Sequence, residues 1–382
     1  MKRYVLVSAD VKPGSGMGRP NYELARYLAE QNEVHLVAYE VARELMEHPR
    51  IIWHRVPKPL NSYILGEPLL RRYGQRVRRQ LGASARLIGN GGNCLSNDVT
   101  WAHYVHAAYR PLVKTSGPRR VKAALTHRQC LRDERRALQM AQLVIANSDR
   151  TARLITEHYE VAPERVRTVY LGVADEFKPA MNAERSAARV ALGWPEEGLT
   201  AVFVGALGDR RKGFDALFAA WQELCRDKSW DVELAVAGVG AEARTWQERS
   251  RAAELDGRIR WLGHTNDIAT LLRASDALVS PARYEPYGLN AHEALCCGLP
   301  AFVTRTAGVA GRYPPELAEL LLDAPPEAAD IVGRLRRWRE DVAGYRARVA
   351  SFGADLRQRS WRDMAREIVD IMETERRSAL SL

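Results

Sequence analysis

Ser280-Pro-Ala-Arg-Tyr-Glu-Pro-Tyr-Gly-Leu-Asn-Ala-His-Glu-Ala-Leu-Cys-Cys-Gly298 is the stretch on which the fold turns. Ahead of it, Ala277-Leu-Val is a short apolar run ending at Ser280-Pro281, the pattern of a buried parallel strand at its carboxyl end. Pro286 and Gly288 force a turn. Residues 289–297 then read as a short helix closed by Gly298, with Pro300 beyond. A strand, a loop and a helix start in this order leave backbone N–H groups that attract an anion such as phosphate. Glu285 stands in the loop and Glu293 in the first turns of the helix. Carboxylates would repel a phosphate directly, so these two are suited to accept hydrogen bonds from hydroxyls on either side of it. A diphosphate with a ribose at one end and a sugar at the other has that pattern.

Upstream, Thr200-Ala-Val-Phe-Val-Gly205 is a second buried strand, followed by Ala206-Leu-Gly-Asp-Arg-Arg-Lys-Gly-Phe-Asp215 and a helix through Leu224. Arg211 and Lys212 put two positive charges just past that strand. Cations placed there suit an anionic ligand such as a phosphate group. Arg210 is expected to face solvent. Further strands at 232–237, 259–264 and 301–304 alternate with helices. Such a run implies a doubly wound parallel sheet with ligands at the carboxyl ends of its strands.

The first half opens in the same way. Tyr4-Val-Leu-Val-Ser, the loop Gly14-Ser-Gly-Met-Gly18, an amphipathic helix carrying Leu24, Tyr27 and Leu28, and a strand at 34–38 make a βαβ unit. The glycine spacing is wrong for a dinucleotide fingerprint. Val99-Thr-Trp-Ala-His-Tyr-Val-His106 brings two histidines to the end of an extended apolar run. On an extended run, residues three apart face opposite ways, and no third ligand stands nearby, so the pair does not suggest a metal site.

With both halves in view, Glu285 and Glu293, separated by seven residues within Glu-Pro-Tyr-Gly-Leu…Glu-Ala, resemble the Glu-x7-Glu signature of the retaining GT-B glycosyltransferases of family 4. Arg211-Lys212-Gly213 resembles that family's phosphate loop, although Ala206 stands where many members carry Arg. Leu143-Val-Ile-Ala-Asn-Ser and the segment 166–173 resemble its strand end and its crossover between domains. The resemblance implies two Rossmann-like α/β domains facing a central cleft. Residues 1–170 would form the acceptor-binding domain and 171–361 the nucleotide-sugar domain. After a kink at Ser360-Trp361, a last helix, about 362–382, would pack back on the first domain.

The resemblance also implies the roles. His106, with His103 as second choice, would face the transferred sugar. Arg211 and Lys212 would steady the diphosphate, and Glu285 the sugar hydroxyls. Gly16, Gly18 and Gly205 would allow close backbone approach, and the backbone of Tyr287, Gly288, Leu289 and Asn290 would hold the diphosphate. Glu293 would hold the ribose. The donor would be a nucleoside-diphosphate hexose, most often a UDP-sugar, acting as co-substrate with no cofactor. No two aspartates stand two apart, so the metal-binding device of GT-A transferases is missing and no metal is expected.

Charge adds a partner. The chain of 382 residues carries a net charge of +10, and residues 1–170 hold 28 Lys+Arg against 15 Asp+Glu. An excess confined to one half calls for an acidic partner: an anionic membrane face, a pyrophosphate-bearing acceptor or nucleic acid. No RNP-like aromatic motif supports RNA. Residues 60–86 form a basic amphipathic segment, with Leu65, Leu69, Tyr73, Val77 and Leu81 every fourth position. The stripe fits a helix packed on its own domain or one lying on a membrane interface. Five cysteines without a C-x-x-C pattern point to a reducing cytoplasm, either free or peripheral at the inner membrane face. The expected acceptor is a saccharide, lipid-linked or lipopolysaccharide-type molecule, with a small secondary metabolite as the alternative. The rival activities are a sugar-nucleotide epimerase or hydrolase on the same fold, and a scaffold without catalysis.

Overall fold

The computed structural model describes residues 1–380 apart from Ser15, Ala83, Asn97, 111–116 and Asp209, and only the backbone of 118–120 and 376–380. The expected C-terminal helix therefore runs two residues past the described chain. Two units emerge. One takes Met1–Arg110, the described chain up to Gly172 and the described chain from Arg359 onward; the other takes Val173–Gln358.

In the first unit, seven strands are β1 (Arg3–Val7), β2 (Glu33–Ala38), β3 (Ile51–Arg55), β4 (Arg86–Asn90), β5 (Val99–Ala102), β6 (Leu143–Ala146) and β7 (Val166–Thr168). All are parallel, in the order β3-β2-β1-β4-β5-β6-β7. The helices used below are α1 (Gly18–Ala29), α2 (Tyr63–Leu81), α3 (Pro118–Met140) and α4 (Asp149–Tyr159). Strands buried on both faces are continuously apolar, as in Tyr4-Val-Leu-Val and Leu143-Val-Ile-Ala, while the helices alternate at the helical period. The Asn21 side chain ties the start of α1 to the end of β1, donating to Met17 O (2.8 Å) and Ser8 Oγ (3.1 Å). Ser148 caps α4 by accepting from the Thr151 N–H at 3.1 Å.

The apolar stripe of α2 turns inward. Val77 is buried, and Leu69, Tyr73 and Leu81 pack with it on Val5, Val7, Val37 and Leu87, while Leu65 stays exposed. Two glycines let the helix sit this close. A Cβ at Gly66 would lie 2.5 Å from Tyr39 Oη, and one at Gly74 only 2.8 Å from Val7 Cγ2. Glycine to alanine inside a helix ordinarily stabilises by about 1 kcal/mol. At position 74 the sign should reverse, because Val7 sits on a central strand and cannot yield, and overpacking costs about 1–3 kcal/mol. We expect Gly74→Ala to lower the urea midpoint of the first unit's unfolding; an unchanged or raised midpoint would show that α2 can move away from the sheet.

The second unit contains β8 (Leu199–Val204), β9 (Val232–Ala237), β10 (Ile259–Gly263), β11 (Ala277–Ser280), β12 (Ala301–Thr304) and β13 (Leu321–Leu322), in the order β10-β9-β8-β11-β12-β13. Its helices include α5 (Phe214–Leu224) and α6 (Leu289–Cys296). Trp221, Trp338, Phe203 and Phe302 fill its core. Numbered within each unit, both sheets begin 3-2-1-4-5-6, the doubly wound order. The strand order reverses between the first and fourth strands, and the crevice past their carboxyl ends is where ligands bind on such sheets. That place is the end of β1 and β4 in the first unit, and of β8 and β11 in the second. The chain finally returns to the first unit as α7 (Trp361–Leu380). Tyr4 Oη donates to Glu373 (3.3 Å), and Arg167 pairs with Glu375 at 2.6 Å.

Candidate active site

At the second unit's reversal point, two loops leave neighbouring strands and lie backbone on backbone. Gly213 has φ +69°, and a Cβ there would stand 1.7 Å from Pro281 O. The Arg283 N–H donates to Arg211 O at 2.8 Å. Its guanidinium clamps both oxygens of Asp215 (2.6 and 2.9 Å) and donates to Arg210 O at 2.9 Å. Arg210 is not turned to solvent as its sequence context suggested. It lies between Asp215 (3.9 Å) and Glu242 (3.6 Å), because φ +57° folds the chain back on the start of α5.

The clasp brings together charges far apart in sequence. The Lys212 ammonium donates to Glu285, and an Arg211 Nη lies 4.0 Å from the same carboxylate while donating to Tyr284 O at 3.1 Å. Burial pushes the Glu285 pKa up, but the Lys212 charge, then the Arg211 charge and the Lys212 hydrogen bond, outweigh it and hold the carboxyl below its usual range. It is a buried, ionised group between two cations. Next to it α6 begins. Gly288 precedes the helix at φ +104°, and the Leu289 and Asn290 N–H groups have no partner among the described residues. The Asn290 side chain donates to Val204 O at 3.0 Å, which pins the helix start to the end of β8. Tyr287 Oη meets His292 Nδ1 at 2.6 Å, and Glu293 sits a turn further along, half-buried. Gly298, at φ +74°, closes the helix as expected, with the Leu299 N–H on Ala294 O at 2.9 Å. Gly205 completes the floor: a Cβ on it would lie 3.1 Å from Lys212 Cγ. Two cations, open amides and flanking carboxylates at one reversal point can grip a pyrophosphate and the hydroxyls on either side of it.

The first unit holds the remaining predicted residues. Gly16 lies in the loop before α1 with open space around it, and Gly18 is the first residue of that helix. The extended run read through both histidines stops early. β5 ends at Ala102, and His106 opens a short 3-10 turn, His106–Ala108. His103 is buried against Trp101, with ring centres 4.3 Å apart, and burial lowers its pKa to about 3. It is a neutral core histidine. His106 is a third exposed on its side chain and is held by Glu134, which accepts its backbone N–H (2.7 Å) and lies 3.0 Å from ring Nδ1. Sequence reading missed Glu134 as well as Arg283 and Asp215. Glu134 meets His106 across 28 positions, and Arg283 meets Asp215 and Arg210 across 68 and 73, so no local spacing could reveal these pairings. Among the described residues, no three His, Cys, Asp or Glu side chains are grouped to hold a metal ion.

A doubly wound pair of sheets with a cationic loop and an open helix start at the second reversal point defines the GT-B class of glycosyltransferase. Residues 14–177 match the family model described as Glycosyltransferase Family 4, and 184–354 the one described as Glycosyl transferases group 1. The chain belongs to the GT-B glycosyltransferases of the family 4 type. It is 30% identical over 251 residues to a D-inositol 3-phosphate glycosyltransferase of Saccharomonospora viridis. That match covers 62% of this chain and 57% of the relative, so it spans little more than half of that protein's length. Two solved structures share the fold. Sucrose-phosphate synthase from Thermosynechococcus elongatus has a TM-score of 0.80 at 20% identity, covering 98% of this chain and 99% of that one. Anabaena HepE in complex with UDP and glucose has a TM-score of 0.75 at 16% identity, covering 98% and 100%.

Proposed function

We propose that the protein is a retaining hexosyltransferase that draws its sugar from a nucleoside-diphosphate donor, a UDP-sugar first, and moves it to a saccharide or lipid-linked acceptor. The observation that carries this is the meeting of Arg211, Lys212 and Glu285 beside the open start of α6. On this reading the cations and the Leu289 and Asn290 amides take the diphosphate. Glu285 holds sugar hydroxyls and Glu293 the ribose, while Gly16, Gly18 and His106 belong to the acceptor-binding unit. The bond from the anomeric carbon to the phosphate oxygen breaks, and an acceptor oxygen attacks on the same face. The leaving phosphate takes the acceptor's proton. The basic first unit and the inositol phosphate in the relative's name both favour an anionic acceptor, so a phosphorylated polyol belongs in the acceptor panel beside lipid-linked sugars.

Membrane contact at the inner face is part of the same proposal, on narrower ground than the sequence offered. Leu60, Tyr63 and Leu65 stay exposed at the start of α2, and Val121 and Leu125 on α3. Among the described residues no helix is long and apolar enough to cross a membrane.

Thermal shift with UDP, GDP, ADP and TDP, with and without magnesium, tests the donor side. A nucleotide at a hundred times its Kd should stabilise by about 2.7 kcal/mol. If the unit Val173–Gln358 melts by itself, that raises its Tm by roughly 5–10 °C. We expect UDP to do so with or without magnesium. A panel in which no nucleotide moves Tm would end the assignment, and a shift seen only with magnesium would end its metal-free form.

A further inference from the structure

We propose that Glu134 is a positioning residue: by holding ring Nδ1 and the backbone of the same turn, it fixes the orientation of the His106 ring and the nitrogen it presents to the sugar. This rests on the reading that His106 meets the sugar.

The geometry is unusual for a residue that only supports a loop. Glu134 is buried on α3 and gathers three donors: the His106 backbone N–H, the His106 ring and the Tyr159 hydroxyl of α4. The Tyr159 oxygen in turn accepts the Ala107 N–H at 3.2 Å. Two successive amides of the turn and the ring it carries are thus fastened to one carboxylate and its tyrosine. The carboxylate has little room to turn away. A Cβ at Gly92 would lie 3.0 Å from Glu134 N, so the loop after β4 lies flat on this part of α3. The neighbouring Asp133 is drawn to Arg71 of α2 at 2.7 Å. Holding a turn needs only the backbone contact; the bond to Nδ1 orients the ring and sets which nitrogen carries a proton.

Groups from each packed element bear on the ring's charge. Glu134, Cys130 and His127 come from α3 and Glu67 from α2; Tyr159 of α4 shares the Glu134 carboxylate, and Arg110 on the ring's own segment acts on His127. Burial opposes the charged ring. Hydrogen bonds with Cys130 and Glu134, together with the Glu134 charge, outweigh burial and push the His106 pKa up to about 10. An imidazolium donates but cannot accept a proton.

The test uses the full chain labelled with 13C-histidine, His106 being assigned by comparison with His106→Gln. In the native chain the His106 signal should show no titration below pH 9. In Glu134→Gln its midpoint should drop toward the ordinary imidazole value of about 6.5. At pH 8 only about one ring in thirty would then stay charged. Release of UDP from UDP-glucose should slow by up to about 30-fold at that pH, with little change in KM, and recover below pH 6. A midpoint unmoved by Glu134→Gln overturns the proposal. A lowered midpoint while both Glu134→Gln and His106→Gln turn over normally leaves Glu134 as the residue that sets the ring, and removes His106 from the sugar site. If Glu134→Gln does not fold, Glu134→Asp keeps the charge but draws it back from the ring. Its midpoint must fall part of the way, and an unmoved one is again fatal.

Discussion

Lys212→Met should cut turnover by roughly 10²–10³-fold, the usual cost of removing one fixed charge-stabilising group from a transferase or hydrolase site. Methionine keeps the length and apolar stem of lysine and removes only the ammonium, which lies on the buried Glu285 carboxylate. The change has a second effect that must be separated from the first. Glu285 is then left with Arg211 alone at 4.0 Å, and an under-compensated buried charge should cost about 1–3 kcal/mol of stability. Adding Glu285→Gln removes the stranded charge. The Lys212→Met, Glu285→Gln chain should therefore melt close to the native temperature yet stay inactive. On the proposed reading the two act on one leaving group, so Arg211→Met should add less than its single effect when combined with Lys212→Met. Sugar release assayed at saturating donor, beside a melting curve for each variant, decides the matter. Near-native turnover in a well-folded Lys212→Met chain would remove Lys212 from the chemistry, and the same result in the Arg211→Met, Lys212→Met chain would remove the pair.

Gly213→Ala is the largest stability change we expect from a single methyl group. Its Cβ would sit 1.7 Å from Pro281 O and 2.7 Å from Pro281 C, both backbone atoms, at φ +69°. Neither loop can give way by rotating a side chain. Moving the 281–285 segment breaks the Arg283 to Arg211 backbone bond and the Asp215 clamp, and draws Glu285 away from its cations. The expected loss is about 4 kcal/mol, at the upper end for point substitutions, or a Tm lower by roughly 10 °C. Gly263→Ala is the matched control. Its φ is +66°, but a Cβ there meets nothing within 4 Å. It should show only the left-handed backbone cost of about 1–2 kcal/mol. Equal losses in the two variants would mean that backbone conformation, rather than the contact between the loops, explains the effect.

Residues close together in the chain could be read without coordinates. The strand ending at Ser280, the turn at Pro286 and Gly288, the eight-residue α6 and its Gly298 closure follow from turn chemistry and periodicity within twenty positions. The same is true of the strand and cationic loop from Thr200 to Gly213. Local rules act over one or two helical turns, so these elements were legible. Periodicity also showed an apolar stripe on α2, but a stripe states only that a face is covered. That Val5, Val7, Val37 and Leu87 cover it from Leu69 to Leu81, and leave Leu65 exposed, follows from how close Gly66 and Gly74 let the helix come.

What the coordinates added concerns pairs distant in sequence. Lys212 reaches Glu285 across 73 positions because β8 and β11 are neighbours where the strand order reverses. The extended reading of residues 99–106 failed because backbone donors at His106 and Ala107 were drawn to Glu134 and Tyr159, partners that no local pattern displays. His103 and His106 look alike in the sequence, yet one is a core ring whose pKa burial lowers and the other a partly exposed ring held by Glu134, whose pKa is raised. Residue type fixes which charges and hydrogen bonds a side chain can have. Burial and the partner across the sheet fix which of them it uses, and both are properties of the folded chain alone.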